Sequence, residues 1–319
     1  DLGIAAMPLS AGPEPLSVGT LLAHGSTWRI LFDLFMIGLF GGFFIVPLYA
    51  LVQLRSVPEQ RARIIAANNI MNALFMVVGA GAAAGILGAG VSIPALFAVA
   101  AVCNAAVALF IYGLVPEFLL RFLAWLLIHT FYRVKKRGVE HIPHEGAALV
   151  VCNHVSFVDP VILMAVSPRP IRFVMDHRIF KTPVISFIFR HSRAIPIAPA
   201  KEDPAMMEKA FDEVAKALDE GELIGIFPEG RITDTGELYP FRPGVTRILE
   251  RNAVPVIPLA LQGLWGSFFS RKDGAAMTKP FRRGLFSKIA VVGEPPVAPT
   301  EATPERLQSI VQNLRGDWK

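Results

Sequence analysis

The chain has 319 residues, of which 53% are hydrophobic and 18% are charged, and its formal net charge is +5. A mean hydropathy of +0.49 is too high for an ordinary water-soluble protein, so part of the surface must face lipid. The small positive charge is typical of contact with anionic headgroups or phosphorylated substrates, and no nucleic-acid-binding motif accompanies it. Cys103 and Cys152 both lie in apolar runs, and their spacing predicts neither a disulfide framework nor a metal site.

The first third of the chain contains three apolar stretches, each near the roughly 20 residues that a helix needs to cross a bilayer. They cover residues 30–54, 64–88 and 91–114. We predict that all three span a membrane and that residues 28–115 form an all-α transmembrane segment. The second stretch carries Asn68, Asn69 and Asn72 on one helical face, which is typical of hydrogen bonding between helices or of one wall of a solute pathway.

The charges between these stretches predict the orientation of the chain. The first linker carries three arginines between residues 55 and 63, whereas the second, at residues 88–92, carries no charge. By the positive-inside rule the first linker is cytoplasmic, so residues 1–27 form an extracytoplasmic loop and everything after the third stretch is cytoplasmic. Because an outside N-terminus at Asp1 without a starting Met is unusual, we expect the chain to be a fragment of a longer protein.

Residues 116–137 predict an interfacial amphipathic helix followed by a basic linker. The run FLLRFLAWLLIHTFY at residues 118–132 is apolar but is interrupted by Arg121 and His129, and four basic residues follow it between positions 133 and 137. Such a pattern is typical of a helix that lies in the headgroup layer. A fourth span is the alternative, and it would put the rest of the chain on the other side of the membrane.

Residues 138–319 predict one α/β domain whose mixed sheet is flanked by helices, because short β-rich apolar runs alternate there with amphipathic segments. The expected strands are residues 148–152, 171–175, 194–197, 223–227, 254–261 and 288–292. Helices are expected over residues 204–218, near 247–251 and over 304–314. No internal repeat is visible, so one domain is sufficient.

The first chemical motif is the run NHVSFVDP at residues 153–160, which follows an expected strand and enters a helix. Ligand sites of α/β sheets occur at such strand ends. His154 and Asp159 are five residues apart, so a turn at the helix start can bring the carboxylate to one ring nitrogen and leave the other to take a proton. We predict a general base with an orienting carboxylate; a helix-capping Asp beside a surface His is the alternative. Ser156 is expected to cap the helix or face solvent.

The second motif is the run FPEGRITDTG at residues 227–236, after another expected strand. Gly230 lets the backbone approach a ligand, Arg231 can grip a phosphate through two donors, and Glu229 can hold Arg231 or an acceptor hydroxyl. An ordinary loop ion pair is the alternative. A third motif, VIPLAL at residues 256–261, is an apolar strand whose Pro258 favours a sheet edge or a pocket wall, with a simple core strand as the alternative.

These three motifs, in this order, resemble the blocks of the glycerolipid acyltransferase family typified by bacterial 1-acylglycerol-3-phosphate acyltransferases. NHVSFVD matches the family's His-x4-Asp block, FPEGR its Glu-Gly-Arg block and VIPLAL its Pro-containing final block, and the resemblance covers roughly residues 139–293. It implies that His154 is the base on the acceptor hydroxyl, that Asp159 orients it, and that Glu229, with the two residues after it, binds the acceptor phosphate. Pro258 would line the site.

One block departs from the family pattern. Members that act on lysophosphatidic acid usually carry an Arg after a short strand, whereas here the strand at residues 194–197 continues as APAK. The stand-ins for that phosphate-binding Arg are Lys201 and Arg193, and a weaker phosphate grip favours a phosphodiester acceptor over a free monoester. The expected substrate-binding set therefore includes Asn153, Ser156, Lys201 and Pro258 beside the Glu-Gly-Arg motif.

This departure, the phrase FPEGRIT and the carrier-like helices are similar to bacterial 2-acylglycerophosphoethanolamine acyltransferases fused to the end of a major facilitator superfamily lysophospholipid transporter. The resemblance implies a multi-pass enzyme of the bacterial inner membrane that moves an acyl group from acyl-carrier protein or coenzyme A to a lysophospholipid hydroxyl. No metal and no cofactor beyond the thioester co-substrate are expected, and the partners are membrane lipids, acceptor and donor, without nucleic acid. The alternatives are acylation of 1-acylglycerol-3-phosphate or glycerol 3-phosphate, and a transporter fragment whose tail binds lipid without catalysis.

Two further segments are expected to contact the headgroup layer. One is the apolar run at residues 183–189, and the other is the aromatic and basic loop at residues 265–286. A lipid acceptor must enter from the bilayer, which favours membrane contact for both. Core packing is the alternative for the first and a solvated loop for the second.

Overall fold

A computed structural model describes residues 17–114, 116–181, 189–272, 274 and 286–318. The chain divides into two compact units, Asp1–Phe118 and Leu119–Lys319. Most of the predicted extracytoplasmic loop, nearly all of the apolar run at 183–189 and the centre of the 265–286 loop lie outside the described residues.

The first unit is helical. Its helices are α1 (Val18–Ala23), α2 (Gly25–Arg55), α3 (Arg61–Gly88) and α4 (Ile93–Leu114). Three segments that overlap the predicted stretches, Gly25–Ala50, Pro58–Gly88 and Ile93–Ile111, are long and apolar enough to cross a membrane, with mean hydropathies of 2.1, 2.0 and 2.2. Large apolar side chains such as Phe75 and Phe110 are 64% and 67% exposed, as a lipid-facing surface requires.

Polar side chains join α2 to α3. The Nδ2 atoms of Asn68 and Asn72 donate to the Tyr49 hydroxyl oxygen at 2.9 and 2.7 Å. A buried or lipid-facing amide needs such a partner, because unsatisfied polar groups are costly in an apolar environment. The structure thus gives these two asparagines a role in holding helices together, which is the first of the two roles predicted for this face.

The second unit is built on a mixed sheet. Its strands are β1 (Tyr132–Arg137), β2 (Ala148–Cys152), β3 (Arg172–Asp176), β4 (Ile195–Ile197), β5 (Leu223–Ile226), β6 (Val256–Gln262) and β7 (Ser287–Gly293). They lie in the order β1-β7-β6-β2-β5-β3-β4, and all neighbours are parallel except β6 and β7. The mixed α/β sheet and all six predicted strands are confirmed, each within two residues of the expected bounds.

Helices cover both faces of this sheet. They are α5 (Pro116–Phe131), α6 (Asp159–Val166), α7 (Pro204–Asp219), α8 (Gly244–Arg251) and α9 (Pro304–Arg315). α5 and α6 contribute to the core on one face, and α7, α8 and α9 to the core on the other. Because side chains alternate along a strand, β2 sends Val150 and Cys152 into the first core and Leu149 and Val151 into the second. All four are fully buried, so β2 lies at the centre of the domain.

The basic run after α5 is a strand, where the sequence indicated a linker. β1 pairs in parallel with β7 from Tyr132 opposite Ser287 to Arg137 opposite Val292. Tyr132 is 5% exposed and belongs to the core, whereas the charged side chains that follow face outward. Charged residues are common on edge strands, where they discourage pairing with another chain. Because β1 has few apolar residues among its charges, the hydrophobic pattern of the sequence did not predict this strand.

The helix α5 is amphipathic, as predicted. Ala124 and Ile128 are 6% and 0% exposed and pack on the domain, whereas Leu123 and Trp125 are 46% and 45% exposed. The guanidinium of Arg121 donates to the Ser167 carbonyl oxygen at 2.7 Å, which ties the helix to the end of α6. With 16 residues, α5 is shorter than the roughly 20 residues of a span.

The strand that carries Pro258 is an inner strand, so the expected sheet edge is wrong. β6 lies between β2 and β7, and Pro258 is buried opposite Val151. The antiparallel ladder with β7 begins one residue later, at Leu259, and the Pro258 carbonyl oxygen accepts from Glu294 N at 3.2 Å. The missing N–H of proline therefore falls at the end of a ladder, where its cost is small.

Candidate active site

Two of the predicted motifs lie side by side at the carboxyl ends of two neighbouring inner strands. β2 and β5 are parallel neighbours, with Val151 opposite Ile226. The His-x4-Asp motif follows β2 and the Glu-Gly-Arg motif follows β5. Because the carboxyl ends of parallel strands meet at the same edge, the fold brings the two motifs together where α/β sheets carry ligand sites.

His154 is oriented by Asp159, as predicted. Its Nδ1 lies 2.8 Å from Asp159 Oδ2, and its ring stacks on Phe227, with centroids 4.2 Å apart. The imidazole is 18% exposed and the carboxylate is completely buried. With Nδ1 occupied by the carboxylate, Nε2 is the nitrogen left for a proton of a bound molecule. Phe227 has no role in the sequence interpretation, although it begins the second motif.

The carboxylate of Asp159 is fixed by the turn that leads into α6. Its Oδ2 also accepts from Val155 N at 2.6 Å and Ser156 N at 2.9 Å, while its Oδ1 accepts from Ser156 Oγ at 2.5 Å. Several hydrogen bonds to one carboxylate fix its orientation. The turn thus presets the imidazole before any ligand binds.

Ser156 is fully buried and donates its hydroxyl to Asp159. The expected solvent-facing position and substrate-binding role are therefore wrong, because no surface of Ser156 is available to a ligand. Its hydroxyl proton is committed to a carboxylate that already orients His154, so it is also badly placed to act as a nucleophile. The structure gives this serine a positioning role.

Asn153 also positions the site and does not face a ligand. Its Nδ2 donates to the Leu261 carbonyl oxygen at 3.1 Å, and its Oδ1 accepts from Leu261 N at 2.7 Å. The residue is 1% exposed. Its amide thus extends the pairing of β2 with β6 by one step. This corrects the predicted substrate contact and fixes the backbone immediately before His154.

Glu229 joins the two motif loops. Its Oε1 accepts from His154 N and its Oε2 from Tyr239 N, each at 2.7 Å, and the side chain is 2% exposed. Burial raises the pKa of Glu229 to about 7, although the two N–H donors act in the opposite direction. The expected pairing with Arg231 or a substrate hydroxyl is replaced by backbone contacts, because the carboxylate points into the domain.

Gly230 and Arg231 are exposed at the end of the sheet where the two motifs meet, which is here called the mouth of the site. Gly230 has a φ of 67°, and a Cβ there would lie 2.9 Å from the Arg242 guanidinium carbon. Arg231 is exposed and places its guanidinium carbon 3.6 Å from the centre of the Tyr239 ring. Arg242 is a second exposed cation beside the motif. Sequence reasoning missed it, since its distance along the chain follows no motif spacing.

The two stand-ins for the missing phosphate-binding Arg differ in position. Arg193 precedes β4, so it lies at the amino end of the parallel strands, and it pairs with Glu222 Oε1 at 2.5 Å. Because the motifs lie at the opposite end of the strands, Arg193 is excluded as a phosphate-binding residue of this site. Lys201 follows β4, lies at the motif edge and is exposed. Pro258 lies inside β6 on the second core's face and makes no described contact with His154.

Part of this chain is similar to known proteins. Residues 133–262, which hold the central strands and all three motifs, match the family described as Acyltransferase. A 1-acyl-sn-glycerol-3-phosphate acyltransferase of Bacillus subtilis is 26% identical over 185 residues, which are 57% of this chain and 89% of the relative. A chloroplastic one of Brassica napus is 28% identical over 148 residues, which are 46% of this chain and 42% of the relative.

Coverage of the relatives is uneven. The chain spans about two fifths of the length of the chloroplastic relatives from Brassica napus and Arabidopsis thaliana. Among solved structures, the 1-acyl-sn-glycerophosphate acyltransferase of Thermotoga maritima is similar with a TM-score of 0.49 and 18% identity, covering 62% of this chain and 78% of that chain.

Proposed function

We propose that this chain is a membrane-anchored O-acyltransferase that moves a fatty acyl group from a thioester to the free hydroxyl of a lysophospholipid. The observation that carries the proposal is the 2.8 Å contact between His154 Nδ1 and the buried Asp159 carboxylate, beside an imidazole that remains partly exposed. The family match over residues 133–262 supports the reaction class. The thioester is carried by acyl-carrier protein or coenzyme A.

In the proposed reaction, His154 Nε2 takes the proton of the acceptor hydroxyl while its oxygen attacks the thioester carbonyl carbon. The new C–O bond forms an ester, the C–S bond breaks, and the imidazolium returns its proton to the departing thiolate. Asp159 stabilises the imidazolium and keeps its Nδ1–H in place. A positioned base of this kind contributes about 10²- to 10⁴-fold in rate. The proposed acyl transfer is direct, and the buried Ser156 is badly placed to form an acyl-enzyme.

The cations at the mouth would hold the acceptor phosphate. Arg231 and Arg242 are both exposed beside the left-handed turn at Gly230. A guanidinium offers two parallel donors to phosphate oxygens, and no other side chain matches that geometry as well. Lys201 would add a point charge from the end of β4. The acyl chain would remain in the bilayer, and α5 would lie in the headgroup layer beneath the site.

Two acceptor classes compete within this proposal. The similar proteins are 1-acyl-sn-glycerol-3-phosphate acyltransferases, which favours 1-acylglycerol-3-phosphate, a phosphate monoester, as the acceptor. The lysine that follows β4, where the family resemblance leads one to expect an Arg, favours a phosphodiester such as a lysophosphatidylethanolamine. We favour the phosphodiester. The first unit, with its three apolar helices, would be the end of a transporter for the same lysolipid in a bacterial inner membrane.

An acyl-transfer assay tests the proposal. The full chain in detergent micelles is supplied with a radiolabelled acyl group as its thioester with either coenzyme A or acyl-carrier protein. Competing lysophosphatidic acid and lysophosphatidylethanolamine in one reaction ranks the two acceptors by labelled product. We expect labelled diacyl phosphodiester as the main product. If both donors leave every acceptor unlabelled while the chain still binds lysolipid, the soluble unit is a lipid-binding tail and the proposed activity is wrong.

A further inference from the structure

The segment after β6, residues 264–271, here called the rim loop, lies against the loop that carries the general base. Phe157 N donates to the Phe269 carbonyl oxygen at 3.2 Å. Ser156 and Ser270 form an isolated antiparallel β-bridge. These contacts attach the end of the rim loop to the chain two and three residues after His154. The residue that follows Ser270 is therefore held at the mouth of the site.

The rim loop is also braced internally and against the second motif. Ser270 Oγ donates to the Ser267 carbonyl oxygen at 2.9 Å and accepts from Gly266 N at 3.0 Å. The Trp265 ring lies so close to Gly236 that a Cβ there would be 2.8 Å from the indole nitrogen. The loop thus spans both motif loops, and its geometry is fixed up to residue 270 by buried polar contacts.

Arg271 follows this fixed point, and its guanidinium lies over Phe157 of the loop that carries the general base. Its guanidinium carbon lies 5.5 Å from the centre of the Phe157 ring, and both side chains are exposed. In the described part of the chain, no carboxylate forms an ion pair with Arg271. An aromatic ring of the base-bearing loop therefore supports a guanidinium whose hydrogen-bond donors remain available to a ligand.

Arg231, from the second motif, shares one electrostatic neighbour with Arg271. The Asp234 carboxylate accepts a hydrogen bond from the Tyr239 hydroxyl. The positive charges of Arg231 and Arg271 both affect the pKa of this carboxylate. The hydrogen bond from Tyr239 is the main cause of its lowered pKa, and the charges of Arg231 and Arg271 act in the same direction. One arginine from each side of the site thus acts electrostatically on the same exposed carboxylate.

We propose that Arg271 is a binding residue for the phosphate of the lipid acceptor, acting with Arg231 across the mouth of the site. This proposal rests on the proposed function, because it concerns the acceptor of the same reaction. The cation that the family resemblance leads one to expect after β4 is a lysine here, so a guanidinium from the rim loop supplies the bidentate contact. Its position follows from the rim-loop contacts and from Phe157, and no motif spacing marks it.

The test is steady-state kinetics of the full chain and of its Arg271→Gln variant in the same micelles. Removal of one charge-assisted contact to phosphate should raise the KM for the lysophospholipid about tenfold, which corresponds to about 1.4 kcal/mol. The KM for the acyl donor should change less than twofold. Arg271→Lys, which keeps the charge but loses the paired donors, should raise the acceptor KM by only about threefold.

Arg306→Gln is the matched control, because Arg306 is an exposed arginine that pairs with Glu301 far along the chain from both motifs. It should leave both KM values unchanged. An unchanged acceptor KM in Arg271→Gln overturns the proposal. So does a rise in donor KM as large as the rise in acceptor KM, which would assign the arginine to phosphates of the donor.

Vesicle sedimentation separates acceptor binding from attraction to the membrane surface. Vesicles of phosphatidylethanolamine and phosphatidylglycerol should retain Arg271→Gln as well as they retain the unmodified chain, and a weaker association that accounts for the KM change contradicts the proposal. Absence of acyl transfer by the unmodified chain would refute the proposed function itself. If the unmodified chain transfers the acyl group and Arg271→Gln has the same KM for the acceptor, only the role of Arg271 is refuted.

Discussion

Glu229 shows how a single buried side chain can hold the backbone of the general base without contacting its imidazole ring. Its two oxygens accept one N–H from each motif loop, so the backbone of His154 is tied to the turn that follows β5. The cost is burial of a carboxyl group, which raises its pKa to about 7. A neutral carboxyl is favoured at that position, whereas the unfolded chain ionises it near its ordinary pKa.

The raised pKa of Glu229 predicts a specific pH dependence of stability. A carboxyl whose pKa is higher in the folded chain contributes its full stability below about 4.5 and loses it as pH rises through about 7. Relative to Glu229→Gln, whose side chain cannot ionise, the unmodified chain should therefore lose roughly 2 kcal/mol of unfolding free energy between pH 5 and pH 8. Urea unfolding of both proteins across this range measures the difference, and parallel profiles would refute it.

Local sequence spacing predicted the His154–Asp159 pair but not the residues that surround it. A five-residue separation at a helix start limits where the two side chains can point, and the 2.8 Å contact agrees with that. The roles of Asn153, Ser156 and Glu229 depend on partners elsewhere in the chain, such as Leu261 and Tyr239. No motif reveals such partners, so three expected ligand contacts are instead positioning contacts.

At the scale of elements, hydrophobic runs in the sequence were sufficient to predict six strands but not the seventh, β1. The six have three or more apolar residues in succession or alternation, whereas β1 has Tyr132 and Val134 among four basic residues. Its pairing with β7 requires a segment more than 150 residues away, which composition cannot reveal. Pro258 led to the wrong prediction of a sheet edge. A proline is tolerated in this inner strand because it lies at the end of the ladder with β7.

The turn after β1 offers a test of this strand. Gly138 has a φ of 73°, and a Cβ there would lie 2.0 Å from the Gly293 carbonyl oxygen. Gly146 has a φ of 81° with nothing within 4 Å of a Cβ, so it is the matched control. Gly146→Ala should cost only the left-handed strain of about 1–2 kcal/mol. Gly138→Ala should cost at least about 2 kcal/mol more, because the backbone at the end of β7 must shift.

Unfolding free energies from urea titration compare the two glycine variants. Because both substitutions place alanine at a positive φ, the difference between them isolates the clash with β7. Equal losses of stability would mean that β1 and β7 do not meet in this register. A loss of stability in Gly138→Ala that exceeds the loss in Gly146→Ala by about 2 kcal/mol or more would support the pairing of β1 with β7.

At the scale of the whole molecule, the predicted topology places the acyltransferase unit on the side where acyl thioesters are made. One apolar helix, α3, separates the arginine-bearing linker near Glu59 from the uncharged linker near Ser92, and it is the second of three such helices. With three spans, the segment after Leu114 lies on the same side as Glu59. This arrangement stays a prediction, which rests on span length and charge asymmetry, two local properties of the sequence.

Single cysteines test this topology in a chain in which Cys103 and Cys152 are replaced by serine and alanine. In intact bacterial cells, a membrane-impermeant maleimide should label Ser92→Cys and leave Glu59→Cys unlabelled. In inside-out vesicles the pattern should reverse. Labelling of both positions from one side would contradict the predicted orientation and would put the active site on the wrong face for a cytoplasmic thioester donor.

The most direct test of the account is the rate of acyl transfer by the His154→Ala variant. His144, an exposed histidine outside the motifs, provides the control substitution His144→Ala. We expect His154→Ala to lose about 10²- to 10⁴-fold in kcat with an unchanged Tm, and His144→Ala to stay within twofold of the unmodified chain. Transfer by His154→Ala at more than a tenth of the unmodified rate would contradict the general-base role.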